Sequence, residues 1–232
     1  MPNSFIGTML TLAVIALLPV SSAAQVRPLN ESLLPQSKII PIDEATKDPP
    51  LVHMRAQLMN ALHVCDPKAV LALANPDVEL GAAWKDFEGD FRDLLTGPKR
   101  DAHLCAEMFE SLTLGGLLRD RDTFESNYVA LQFKGDIDRV YPDRTTYRVI
   151  TGKDVPVFAR PSSSSPIIWR LSYDVALVRI NGTNRVWQQV EYSDKKFGFV
   201  DSKYVSDPGG LVVKIHRERT GWKISGLTAF YE

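Results

Sequence analysis

Few side chains in this sequence stand at spacings that chemistry requires. There are four histidines. His53 and His63 lie ten residues apart, and His103 and Cys105 two apart, so neither pair shares a helical face. No HExxH, CxxC or Asp-rich loop is present, and no metal or other cofactor is expected. Asp86, Glu88, Asp90 and Asp93 could furnish an acid and a base for glycan cleavage. The same residues equally suit the solvated first turn of a helix. A Cys–His nucleophile would need Cys65 or Cys105 exposed beside a histidine, and both cysteines fall on apolar helix faces. No catalytic set emerges, so a non-enzyme is expected. Converging polar side chains in a cavity of the helical half would be the sign of the opposite.

The N-terminus bears on where those cysteines reside. Phe5 to Val20 is apolar and uncharged, and Ser21-Ser22-Ala23-Ala24 supplies small side chains for cleavage after Ala24. The run is short for a membrane span and has no following charge cluster, although Met-Pro-Asn-Ser lacks the usual basic residue. The expectation is a signal peptide over 1–24, no stable membrane span after its removal, and a periplasmic or secreted protein. A retained anchor helix is the competing reading. In an oxidising compartment an even count of cysteines can close a bridge, and Cys65–Cys105 is the candidate disulfide. Two buried free thiols are the alternative.

The 232 residues are 44% hydrophobic and 24% charged with a formal net charge of -1, the composition of a globular protein. That charge gives no reason to expect nucleic acid as partner. Residues 25–50 carry five prolines and read as a flexible linker, with a short extended segment around Ile39, Ile40 and Ile42. Residues 51–135 read as a helical domain. Leu51 to Cys65 repeats apolar residues every 3.6 positions, Asp66-Pro67 starts a second helix through Ala74, and Trp84 to Leu95 and Asp101 to Leu114 follow. Val78 to Leu80 suits a brief strand. The alternation of Asn127 to Phe133 predicts a strand covered on both faces. From Asp136 short β-branched runs take over, and an excess of acid in the first part gives way to an excess of base.

Residues 136–210 hold the segment with most character. Strands are expected at Val155–Phe158, Ile167–Leu171, Val175–Ile180, Val186–Tyr192 and Phe197–Val200, with Asn181-Gly182 as a hairpin turn and a 3₁₀ turn at Asp201–Tyr204. The ordered set of Val155-Pro156-Val157, the Arg160-Pro161-Ser162 loop, Ile167-Ile168 before Leu171, Trp187 three residues before Val190, Gly198-Phe199-Val200 and Ser202-Lys203-Tyr204-Val205 resembles bacterial SH3-like domains of exported proteins. The family has Gly after the strand ending at Leu171, whereas this chain has Ser172-Tyr173-Asp174, so a different turn is expected there. Residues 211–232 read as a C-terminal β-hairpin packing on one of the two domains. The helical half with that hairpin also resembles cone-shaped α+β folds, which would make the barrel an insertion. A hairpin extending the barrel sheet is the competing placement. The fold class expected is α+β: a helical domain, a small SH3-like β-barrel and a terminal β-hairpin.

The SH3-like resemblance implies a ligand groove between barrel loops, with Trp187 at its floor, Tyr204 beside it, and Phe158 and Tyr192 as walls. Aromatic faces suit sugar rings, proline rings and alkyl stems at little entropy cost. Trp187 and Val190 point to opposite faces of one strand, so both cannot fill the barrel core. Cell-wall peptidases that carry such modules use a separate papain-like domain, which this chain lacks. The resemblance therefore implies a non-catalytic module binding peptidoglycan or its stem peptides. An envelope assembly subunit, its groove filled by a partner protein or by the chain's own hairpin, is the second expectation.

Overall fold

The computed structural model describes residues 38–132, 147–184, 186–193 and 195–229. The expected signal peptide, the linker up to residue 37 and the segment 136–146 lie outside them. Among the described residues the fold is mixed α+β, with five α-helices and two sheets. The helices are α1 (Pro49–His63), α2 (Pro67–Ala72), α3 (Phe91–Thr96), α4 (Leu104–Thr113) and α5 (Tyr128–Gln132). The strands are β1 (Ala74–Leu80), β2 (Gly116–Leu118), β3 (Thr123–Ser126), β4 (Tyr147–Ile150), β5 (Val155–Phe158) and β6 (Ile167–Leu171). They continue as β7 (Val175–Asn184), β8 (Trp187–Ser193), β9 (Lys196–Asp201), β10 (Val205–Ser206), β11 (Leu211–Glu218) and β12 (Gly221–Ala229).

Local chemistry explains the first two helices. The Asp48 carboxylate accepts the Leu51 N–H at 2.9 Å, and Pro49 and Pro50 occupy the first turn without needing a donor. Leu51, Met54, Leu58, Ala61 and Leu62 form the buried stripe. The helix stops at His63, short of the expected Cys65. The Asp66 N–H donates to Ala61 O at 2.9 Å and the Cys65 N–H to Leu62 O at 3.0 Å, a paired ending that puts Cys65 at φ 46°. Glycine usually fills that left-handed position. Cys65 is consequently exposed rather than on the apolar face, and it is bonded to the buried Cys105 in α4, with Cα atoms 5.6 Å apart. Asp66 then caps α2 through the Lys68 and Ala69 amides.

Two expected elements are different. Trp84 to Leu95 is not one helix: a 3₁₀ turn at Ala82–Trp84 precedes an α3 that begins only at Phe91. Asp90 and Asp93 form a reciprocal capping box, so the helix starts where its caps are. The strand expected over Asn127 to Phe133 is not formed by its described residues, Asn127 to Gln132. Asn127 takes φ 65°, and its Oδ1 accepts the Ala130 N–H at 3.1 Å, which turns the chain into α5. An alternation that predicts two covered strand faces also fits a short helix buried around most of its girth, since Tyr128, Val129 and Ala130 are all buried.

The first sheet has the order β1-β12-β11-β3-β2. The terminal hairpin β11–β12 is thus its centre, antiparallel to β3 on one side and parallel to β1 on the other. The core between sheet and helices is apolar: Leu58, Leu104, Met108 and Leu112 meet Phe124, Val213, Ile215 and Ile224. The second sheet has the order β10-β4-β7-β8-β9-β5-β6 and does not close, because β6 and β10 are its two edges. Ile150, Val155, Val157, Leu171, Ala176, Val178, Val190 and Val200 fill its inner face. Asn181-Gly182 lies within β7 rather than in a turn, since the strand runs on to Asn184 opposite Trp187.

Lys38 to Asp48, expected to be linker, is a strap across both sheets. Lys38 pairs with Asp174 at 2.7 Å, and the Ile39 N–H donates to Tyr173 O at 2.8 Å. Farther on, Ile42 O accepts the Gly116 N–H, Glu44 accepts the Leu118 N–H, and the Asp43 carboxylate accepts from the two terminal guanidinium nitrogens of Arg55. The strap explains why Tyr173 keeps the left-handed turn that its side chain disfavours. Tyr173 sits at φ 60°, a conformation costing about 1–2 kcal/mol for a residue with a Cβ. The Ser172 N–H donates to Asp174 Oδ2 at 2.6 Å and the Tyr173 N–H to Gly152 O at 3.1 Å, fixing the turn from both sides.

Two outcomes follow from these joints. The disulfide closes a loop of 40 residues, so replacing both cysteines by serine is expected to cost about 2–4 kcal/mol in chemical unfolding. The unreduced protein should weigh two daltons less than the reduced protein, and equal masses would refute the bridge. Asp48 gives the second outcome. Burial alone would raise its pKa, but the Leu51 amide, the Trp222 indole N–H and Arg217 outweigh burial and lower it. Its contribution is therefore complete above about pH 4 and is lost as pH falls through the folded value. Asp48→Ala should cost about 1–3 kcal/mol. Asp48→Asn should flatten the fall of stability with acid, read from urea midpoints across pH.

Candidate functional site

The second sheet carries the aromatic residues, and strand register sorts them between its faces. Trp187 opposes Asp201, Gln189 opposes Phe199, and Phe199 opposes Phe158. These side chains share the outer face, opposite to the buried Val190 and Val200. The Trp187 and Phe158 rings meet edge-on with centroids 5.4 Å apart, and on the same face Arg179 lies 3.8 Å over the Phe197 ring. Phe158 is buried and Trp187 is half-buried, so the inner ring backs an indole that still reaches solvent.

Tyr204 belongs to the 3₁₀ turn Ser202–Tyr204, capped by Asp201 through the Lys203 N–H. The Ser202 N–H donates to Val186 O at 2.8 Å, which docks this turn beside the start of β8 and so beside Trp187. The Lys203 ammonium lies 4.9 Å from the centre of the Tyr204 ring. Its hydrogen bond to Asp201 is the main cause that raises the Lys203 pKa and keeps it cationic. Tyr192 sits elsewhere. It is at the far end of β8 and on the inner face, where its ring tilts against Trp169 at 5.7 Å. Phe158 and Trp187 thus meet on the outer face, whereas the Tyr204 ring, beside Gly152, packs with Tyr192 against the inner-face core, and Tyr192 joins a second aromatic pair.

That second pair was not expected from sequence. Trp169 faces Val157 across β5–β6, and a bulge there inserts Ile168 as an extra residue. Ile168 and Trp169 both reach over the inner face. A side chain at position 198 would strike Val157 Cγ1 at 2.4 Å and Ile168 Cδ1 at 3.1 Å, so only glycine fits there. Ile167, Ile168 and Trp169 are exposed by 49%, 38% and 49%, and they lie on an edge strand. The Ile167-Ile168 pair is visible in the sequence, but only the position of β6 in the sheet reveals it as unpaired.

Asp90 and Asp93 cap α3, and the His63 ring tilts against Phe109 at 5.7 Å. No group of three or more His, Cys, Asp or Glu able to hold a metal occurs among the described residues. An open hollow of about 590 Å³ lies along Asp66, Lys68, Leu71, Arg92 and Thr96. A small cleft of about 60 Å³ lies between α4 and the β10–β11 loop, lined by Glu107, Glu110, Ser111, Asn127 and Asp207. Burial and the neighbouring Asp101 raise the Glu107 pKa. Nearby, burial and Tyr173 push the Tyr128 hydroxyl up to about 12, and its oxygen has no hydrogen-bond partner among the described residues.

No protein-family model, curated protein or solved structure matches this chain. Among the described residues, no helix is long and apolar enough to cross a membrane.

The placement of the tryptophans has a direct optical consequence. Trp169→Phe should remove much of the fluorescence that iodide quenches, because Trp169 is 49% exposed. Trp222→Phe should leave the quenchable intensity unchanged, and so raise its share of the total, because Trp222 is 4% exposed.

Proposed function

We propose that this chain is an exported, non-catalytic binding module whose second sheet is an SH3-like barrel. Its ligand is peptidoglycan or the stem peptide of the cell wall, held by Trp187 and Tyr204 with Phe158 as backing. The observation that carries this reading is the Phe158–Trp187 edge-on contact beside the 3₁₀ turn of Tyr204. An aromatic surface fixed from below and open above loses little entropy when a ring or alkyl stem settles on it. The terminal hairpin contributes its strands to the other sheet, which leaves this surface to an external ligand. Export is supported by the apolar N-terminal run and by the Cys65–Cys105 bridge, a bond that persists in oxidising compartments.

A second reading, an envelope assembly subunit that binds a partner protein, is favoured by the exposed apolar edge strand β6. The direct test is retention of the purified full chain on isolated sacculi. The wild type should be retained, and a Trp187→Ala, Tyr204→Ala double variant should bind about tenfold or more weakly while its unfolding midpoint shows it folded. Equal retention of the two proteins would remove the groove from the account.

A further inference from the structure

Among the described residues each open sheet presents two edges, and three of the four are protected. Strand β1 carries Pro76, Asp77 and Glu79, residues that discourage pairing with another chain. Strand β2 is covered by the strap, whose Ile42 carbonyl and Glu44 carboxylate take the Gly116 and Leu118 amides. Strand β10 is two residues long. Strand β6 has none of these devices among the described residues. It runs for five residues, four of them exposed, and three of those are Ile167, Ile168 and Trp169.

The free edge also offers backbone groups. Pro156 stands opposite Arg170 and has no amide hydrogen, so this is a non-hydrogen-bonded pair. The Arg170 amide and carbonyl therefore turn away from β5, toward the open side. Around this edge the charge is mainly positive. Arg170 is exposed in the strand itself, with its guanidinium turned to Asp154 O at 2.7 Å. Arg160 is exposed at the start of the loop between β5 and β6, Lys153 in the turn before β5, and Lys196 at the hairpin tip next to the Trp169–Tyr192 pair.

We propose that β6 is the docking edge for an extended, acidic peptide segment of a partner protein, which adds to the second sheet as a further strand. Main-chain pairing at Arg170 sets its register, alternate apolar side chains rest on Ile168 and Trp169, and its carboxylates meet Arg160, Arg170 and Lys196. Phe158 behind Trp187 pairs with Ile167 of this edge, but Ile168 and Trp169 lie on the inner face and Trp187 on the outer, so the proposal does not rest on the cell-wall reading.

The test uses the full chain with two synthetic peptides, one alternating Val and Glu and one alternating Val and Lys. The Val-Glu peptide is expected to shift Trp169 fluorescence, to slow amide exchange at residues 167–171, and to weaken with salt. Ile168→Glu, a charge of the peptide's own sign placed on the edge, should lower that affinity about tenfold or more while retention on sacculi and the unfolding midpoint stay unchanged. Equal binding of the Val-Lys peptide would overturn the proposal, as would absence of exchange protection. Protection of residues 167–171 by a second copy of the chain, seen as a dimer in sedimentation without peptide, would also overturn it. Loss of sacculus retention in the Trp187→Ala, Tyr204→Ala variant bears on the groove alone.

Discussion

The carboxylate of Asp48 accepts at once from the Leu51 amide, the Trp222 indole N–H and the Arg217 guanidinium, while Arg217 in turn lies over the Trp222 ring. One side chain thereby caps the first long helix and holds the last hairpin against it. The geometry matters because β12 must come back from the far end of the chain to pair in parallel with β1. Closing so long a loop costs chain entropy that only the completed sheet and core offset. Asp48 sits at the meeting point of the parts that must arrive together, and Trp222 brings a large buried surface to the same place. Everything else in the first sheet, including the register of β11 on β3, presupposes that closure.

The two sheets are tied by short polar links laid over a small apolar joint. Ile39, Tyr128, Val129, Val149 and Val175 form that joint. Above it the strap holds Asp174 through Lys38 and Tyr173 through the Ile39 amide. Asn127 does the corresponding work from inside: its amide donates to Gly115 O and Ser111 O, and its Nδ2 donates to Leu211 O at 2.9 Å. Two residues in left-handed conformations, Asn127 and Tyr173, flank the joint, and in both the neighbouring hydrogen bonds offset the backbone cost.

What could be read from the sequence was mostly local. The Asp66-Pro67 start, the apolar stripe of α1 and the short strands between turn residues all state their structure within a few positions. Long-range choices were not written locally. The terminal hairpin is equally amphipathic in either sheet, and the strap has no periodicity because each of its residues serves a different partner. Tyr173 shows the limit from the other side. Propensity argues against its turn, yet the turn stays and is held by Asp174, Gly152 and Ile39. For the site, Trp187 opposite to Val190 followed from strand alternation alone. Trp169 did not, since a bulge and an edge position turn an ordinary apolar run into an exposed one.

Strands β3 and β11 are neighbours in the first sheet, and the Val213 amide donates to Ser126 Oγ at 2.8 Å just where the chain leaves for the second sheet and returns. Departure and return are therefore a single doorway, latched by Ser126 and Asn127. Whatever lies beyond that doorway can vary in length and sequence without shifting the registers behind it, apart from the few residues that the strap grips. In mechanical terms the second sheet is a cassette, hung from the frame by one two-stranded doorway and steadied by the strap.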